Sequence, residues 1–288
     1  MKIALWSPLH GRGNTTNGLA ITLAYSLNYE GENVLINTQY TKSIMEGAFF
    51  SGRKLAELRS YDYGIDFLDR LAVGNANIQK EDFYNCSANI IDKRLSIIFG
   101  TDKISSGMYS ASINNTIKNI VNTADEHYNL EFIDVNSGLK DGITEKVLDN
   151  ADLVIVTLEQ NEQMISEFFT EDHEKLKDKN KKIIIVIGRY DCESKCSQKY
   201  IQKNYRYQDE IFSVPYNIDL LDSINNHRIL DYFYVNNKFV MKEDNNFFFQ
   251  EVNRICDRIN SFSEENTLKK PLGMENMYTK FKKILMAI

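Results

Sequence analysis

Residues 2 to 17, KIALWSPLHGRGNTTN, place a short apolar run directly before a glycine-punctuated loop and the start of a helix. No other segment constrains the chain as tightly. A buried strand that turns through glycines into a helix points backbone N–H groups and the positive end of the helix dipole at one spot, where an anion would sit. In the phosphate-binding pattern G-x-x-x-x-G-K-S/T, a lysine adds charge at that spot and the hydroxyl holds magnesium. Here Gly13 and Thr15 keep the last glycine and the hydroxyl, whereas Asn14 stands at the lysine position and Pro8 at the first glycine. The shape of a nucleotide site is retained and its principal charge is lost.

The rest of the chain repeats the strand-then-helix theme. Short runs rich in β-branched and apolar residues occur at 3–6, 34–36, 95–99, 131–135, 153–158, 183–187 and 211–214. Near-continuous apolar strands separated by amphipathic segments imply a mostly parallel sheet covered on both faces, a doubly wound α/β fold. In such folds ligands collect beyond the carboxyl ends of the strands. Leu19, Ala20, Leu23, Ala24 and Leu27 form one stripe of a helix that Gly31 would stop. Further helices are expected over 114–128, with Ile117, Ile120, Val121 and Ala124 inward, and over 163–179, ending in the charge run KLKDKNKK.

With 288 residues, 43% apolar content and only three prolines, the chain reads as one domain over 1–265 followed by an appendage. No apolar run approaches the roughly 18 residues that span a bilayer, and the N-terminus lacks a basic-then-apolar leader, so a cytoplasmic protein is expected. The net charge of −6 argues against a general attraction to nucleic acid. Lys199, Lys203 and Arg206 offer only a short basic stripe. Cys192 and Cys196 lack the companion ligands of a structural zinc site. After Pro271-Leu272-Gly273, residues 274–288 place Met274, Met277, Tyr278, Phe281, Ile284, Leu285 and Ile288 on one helical face with lysines on the flanks. The 271–288 segment is thus an amphipathic basic helix, able to dock on its own domain, join a partner or second subunit, or lie on an anionic membrane.

Together these segments resemble the ParA/MinD family of P-loop ATPases over roughly residues 1 to 260. The family's loop, K-G-G-x-G-K-T-T-N, is similar to Leu9-His10-Gly11-Arg12-Gly13-Asn14-Thr15-Thr16-Asn17, with both lysines replaced. The family's I-D-x-D strand end resembles Ile36-Asn37-Thr38-Gln39, without either carboxylate. Phe132-Ile133-Asp134-Val135 resembles the Walker B strand. Gly188-Arg189-Tyr190-Asp191 and Val214-Pro215-Tyr216-Asn217 resemble the two segments that flank the nucleotide base. Within the superfamily, 64–68 through 95–101 look nearest to the CpaE/TadZ pilus-assembly branch.

The resemblance implies a nucleotide site at Gly11, Arg12, Gly13, Asn14, Thr15, Thr16, Arg189, Tyr190, Pro215 and Tyr216. It implies ATP or ADP as cofactor, with Thr15 and Asp134 on the metal side if magnesium-nucleotide binds. It also implies a protein partner in a localisation, pilus or secretion-type assembly, a possible homodimer, and peripheral membrane contact through 274–288. Phosphoryl transfer depends on positioned positive charge and an oriented nucleophile, and the replaced residues are the ones that supply both. The expectation is therefore a positioning or assembly factor with weak or absent hydrolysis and no assigned catalytic residue. The alternative is an active ATPase in which Arg12 replaces the loop lysine. Three local readings stay open: Arg12 as a solvent-facing residue, Thr15 as a helix N-cap, and Tyr190 and Tyr216 as ordinary packing.

Overall fold

The computed structural model describes residues 1–40, 44–59, 63–74, 77–103, 105–236 and 243–263. Eight strands form one sheet: β1 (Lys2–Trp6), β2 (Asn33–Asn37), β3 (Ser87–Ile91), β4 (Leu95–Ile98), β5 (Leu130–Asp134), β6 (Leu153–Leu158), β7 (Lys182–Tyr190) and β8 (Ile211–Pro215). Their spatial order is β3-β4-β2-β5-β1-β6-β7-β8, parallel throughout except for the β3–β4 pair. The expected doubly wound α/β architecture is therefore the one observed. Strands β1, β2, β5 and β6 have buried side chains along nearly their whole length. Continuous burial of this kind requires cover on both faces, and two apolar layers supply it. One contains Leu5, Leu35 and Phe132, the other Trp6, Ile36 and Ile133.

The chain leaves β1 in one direction to build β2, β4 and β3, and later in the other to build β6, β7 and β8. The carboxyl end of β1 is thus a topological switch point. Its register sets Leu5 opposite Asp134 of β5, and Asn37 of β2 also pairs with Asp134. The loop after β1 and the last residues of β2 and β5 therefore converge on one spot by backbone pairing alone.

The helix Asn14–Asn28 carries the predicted stripe on its buried side, but it is covered nearly all round. The helix Glu243–Phe262 packs over its outer face, where Tyr25 donates to Asn260 and Asn28 to Asn253. The helix expected over 114–128 is confined to Ile117–Asp125, and its four predicted inward residues are buried. The segment expected over 163–179 is helical but not uniformly α. A π turn at Phe168–Asp172 joins Glu162–Glu167 to His173–Asp178. Phe168 and Phe169, at the start of this turn, are both buried. Strand β3 is an addition to the seven expected. Its hairpin with β4 turns through Lys93 at φ 54 rather than through a glycine. Gly31, at φ 117, follows the first helix as anticipated. The predicted 271–288 helix lies outside the described residues.

The first helix sits close on β1 because Gly18 has no side chain. A Cβ there would come within 2.6 Å of Leu5 Cδ1, which is itself buried. Ala would favour the helix by about 1 kcal/mol, whereas overpacking a buried contact costs about 1–3 kcal/mol. Gly18→Ala is therefore expected to lower stability by a net of about 1 kcal/mol, and Gly18→Val by more, read as the shift in urea unfolding midpoint.

Candidate functional site

The loop between β1 and the first helix contains Gly11 at φ 75 and Gly13 at φ 78, backbone conformations that favour glycine. Gly13 is the N-cap of the helix, so Thr15 lies inside the first turn and the N-cap reading of Thr15 is corrected. The first N–H groups of the helix have no partner within it and point outward from its N-terminus. This is the glycine-loop-to-helix geometry that the sequence predicts.

The side chains make a different site from the one the loop shape suggests. Asp134 is fully buried, and its carboxylate accepts three hydrogen bonds. Asn14 Nδ2 donates at 3.0 Å, Thr15 Oγ1 at 2.8 Å and Gln39 Nε2 at 2.7 Å. Asn14 Nδ2 also reaches the carbonyl of Leu5 at 2.9 Å, so the residue at the lysine position is turned down onto the strand ends. Gln39 donates to Thr15 Oγ1 as well, at 3.2 Å. Asn37, the other amide in the Ile36–Gln39 segment, bonds Glu46 at 2.8 Å and orients Gln39 N–H at 3.0 Å. Three neutral donors thus meet the carboxylate, one at Oδ1 and two at Oδ2. Burial still dominates, and it pushes the Asp134 carboxyl up to about 7 against the opposing pull of Thr15, Gln39 and Asn14.

A second cluster lies on the β6–β7 side. Glu159 follows β6 directly, and its two carboxylate oxygens take Arg12 Nη1 at 2.7 Å and Arg189 Nη1 at 2.8 Å. Arg12 is therefore not a free solvent-facing residue; its side chain is about one-third exposed and ion-paired. Arg189 adopts φ 50 near the end of β7, and its Nε lies 4.0 Å from where a Cβ on Gly13 would stand. The structure thus brings together Gly11, Arg12, Gly13, Asn14, Thr15, Asp134 and Arg189. Tyr190 packs partly buried on an apolar layer, next in register to Pro215, while Tyr216 is 56% exposed at the edge. Gly188 stands where the family-like segment has asparagine. A Cβ there would lie 2.7 Å from Asn17 Nδ2, so the space is already taken by Asn17.

Sequence reasoning missed Glu159 and the donor role of Gln39. Glu159 carried one positional signal, since it is the first charged residue after the fully buried strand β6. Buried polar atoms without a partner also gather around the loop: Arg12 Nε, Asn14 Oδ1 and Asn17 Nδ2. The cradle N–H groups and the two arginines suit a phosphate. The Thr15–Asp134 pair has the chemistry to hold hydrated magnesium, but two amides already occupy that carboxylate. The residues therefore fit an anion better than a divalent cation.

Compared by sequence, the chain matches no family model and no curated protein. In three dimensions it has the fold of the ParA/MinD P-loop ATPases. A ParA family ATPase from Chlorobium tepidum superposes with TM-score 0.70 at 12% identity, covering 88% of this chain and 98% of that one. MinD from Pyrococcus horikoshii, complexed with Mg-ADP, gives 0.67 at 12% identity, with coverage of 92% and 98%. A putative plasmid partition protein from Borrelia burgdorferi, bound to AMPPNP, gives 0.62 at 16% identity, with coverage of 88% and 97%.

Because the folded carboxyl of Asp134 titrates near 7, above the ordinary 3.8, the folded state holds an extra proton between those values. Stability is then expected to fall as pH rises from about 4 to 7, by at most about 1.4 kcal/mol per pH unit, and to level off above 7. In Asp134→Asn that component is expected to vanish. Urea unfolding of both proteins across pH 4–8 reads the difference.

Proposed function

We propose that this chain is a ParA/MinD-like positioning or assembly factor whose nucleotide site has been converted into a neutral, internally bonded junction, with hydrolysis weak or absent. The observation that carries this reading is the Asp134 carboxylate, which accepts hydrogen bonds from Asn14, Thr15 and Gln39. Asn37 and Gln39 supply amides where the resembling family has carboxylates, so no acidic pair is left to share a metal ion or orient a water. A phosphate group still finds the loop N–H groups, with Arg12 and Arg189 beside it once they release Glu159. Loss of one charge-assisted contact weakens binding about ten- to a hundredfold, so any ATP or ADP is held loosely and without a firmly placed magnesium.

The edge that carries the loop also exposes Leu9, Tyr40, Ile44, Tyr216 and Ile218. Apolar side chains at the ends of strands suit a protein partner or a second copy better than a free nucleotide. Among the solved structures of this fold is a MinC:MinD complex from Aquifex aeolicus, a neighbour with a protein partner. Leu9 cannot reach a partner's nucleotide as a lysine does, so any homodimer here forms without a shared nucleotide. Among the described residues no helix is long and apolar enough to cross a membrane. The basic pattern of 274–288 suits peripheral attachment to an anionic membrane from the cytoplasmic side, and assembly of a CpaE/TadZ type is one setting for such a factor. Liposome flotation of the full chain against a version ending at Lys270 is expected to show loss of attachment in the shorter chain.

The second reading, an active ATPase using Arg12, rests on the proximity of that guanidinium to the loop. Its engagement by Glu159 counts against it. Isothermal titration with ATP and magnesium, run beside a phosphate-release assay, is expected to show weak binding and no release above background. Asn14→Lys is expected to tighten ATP binding by about tenfold or more. Robust turnover in the unaltered chain, abolished by Asp134→Ala or Arg12→Ala, would establish the second reading instead.

A further inference from the structure

The opposite edge of the sheet carries a cationic cavity unrelated to the loop. It opens between the π-containing helical run, the start of β7, the turn 206–209 before β8 and the end of the helix Glu243–Phe262, with a volume of about 690 Å³. That volume lies within the range of small-ligand sites. Lys177, Lys182, Arg206 and Arg258 all line it, and none forms an ion pair with a carboxylate of the described residues. Two carboxylates line the same cavity, and of these Glu174 bonds His173 at 3.3 Å. Lys181 adds a fifth cation, anchored on the carbonyls of Asp149 and Ala151. Such a concentration of one sign in a chain of net charge −6 is a local feature, not a reflection of composition.

The wall is aromatic. Tyr205, half-buried, stacks on Phe169 with centroids 4.7 Å apart and planes 13° from parallel, and it donates its hydroxyl to Glu162 at 2.8 Å. Phe262 carries Lys182 Nζ at 5.0 Å and the Arg258 guanidinium at 4.5 Å from its ring centre. Cation–π contact holds both charges at the cavity in the absence of an anion. Arg206 caps the helix Gln198–Tyr205 at φ 52, a position where glycine is the unstrained choice.

Cations interleaved with aromatic rings recognise phosphate and a planar ring together. We propose that this cavity binds a phosphorylated ring compound of nucleotide size. Lys177, Lys182, Arg206 and Arg258 hold its phosphates, and its ring lies along Tyr205 and Phe262. This site is independent of the loop after β1 and does not rest on the function proposed for it.

The test is isothermal titration of the full chain, in EDTA, with pyrophosphate and with ADP. ADP is expected to bind more tightly than pyrophosphate. Arg206→Gly and Lys177→Ala/Lys182→Ala are each expected to weaken ADP at least tenfold. Arg206→Gly should leave the melting temperature unchanged or raised, because glycine suits that backbone, so loss of binding there is not loss of folding. A short single-stranded oligonucleotide in the same titration separates the two sources of this chemistry; competition with ADP would identify a strand end, and its failure a free nucleotide. Equal affinity for pyrophosphate and ADP, or ADP binding unaltered in both cavity variants, would overturn the proposal. So would ADP binding lost only in Arg12→Ala/Arg189→Ala, which would assign it to the loop.

Discussion

The carboxylate of Asp134 is the group around which the loop edge is organised. It sits at the end of β5 between β1 and β2, fully buried, so its charge must be met by neighbours or by a proton. A metal ion and a lysine would do this with positive charge. This chain does it with hydrogen atoms from two amides and a hydroxyl. Asn14, Thr15 and Gln39 therefore act on this one carboxylate together. A carboxylate at residue 39 would face Asp134 with like charge and no cation between them, whereas the Gln39 amide donates. Asn14 at the lysine position is short enough to reach both Asp134 and the Leu5 carbonyl, which ties the loop to the strand beneath it.

A parallel replacement governs the other side of the loop. Glu159 bridges Arg12 and Arg189, joining the loop to β7 through a carboxylate that occupies the guanidinium groups a phosphate would otherwise contact. Both halves of the site are thus satisfied from within the chain, one by neutral donors and one by an internal anion. The far edge of the sheet behaves in the opposite way. There Lys177, Lys182, Arg206 and Arg258 share a cavity in which carboxylates are too few to answer them. The charged side chains around the loop are thus met within the chain, whereas Lys177, Lys182, Arg206 and Arg258 at the far edge form no ion pair among the described residues.

Much of the architecture was legible because burial on both faces of a parallel sheet imposes long apolar runs. Those runs located β1, β2, β4, β5, β6 and β8 to within a residue at each end, while β7 continues three residues beyond its expected end, to Tyr190. Strand β3 escaped because it is short, includes an exposed Asn89 and turns through Lys93, where no glycine or proline marks the hairpin. The break at 168–172 escaped because helical periodicity does not distinguish a π turn from an α one. In the site, Gly13 and Thr15 were legible from spacing, and Arg12 and Asp134 from the family resemblance. Glu159 was not, since nothing local to it records that β6 lies beside β1 or that two arginines from distant segments meet there.

The sequence by itself determined seven of the eight strands among the described residues, the glycine loop after β1, and the absence of the residues that carry positive charge at the lysine position and negative charge at 37 and 39. These are properties of residue type and local spacing. Only the tertiary structure decided what stands in place of those charges, because Asn14 and Gln39 meet Asp134 through strand register from 120 and 95 residues away, and the cationic cavity is assembled from four segments brought together by the sheet. Charge compensation depends on distance in space, and a linear pattern carries that distance only for near neighbours.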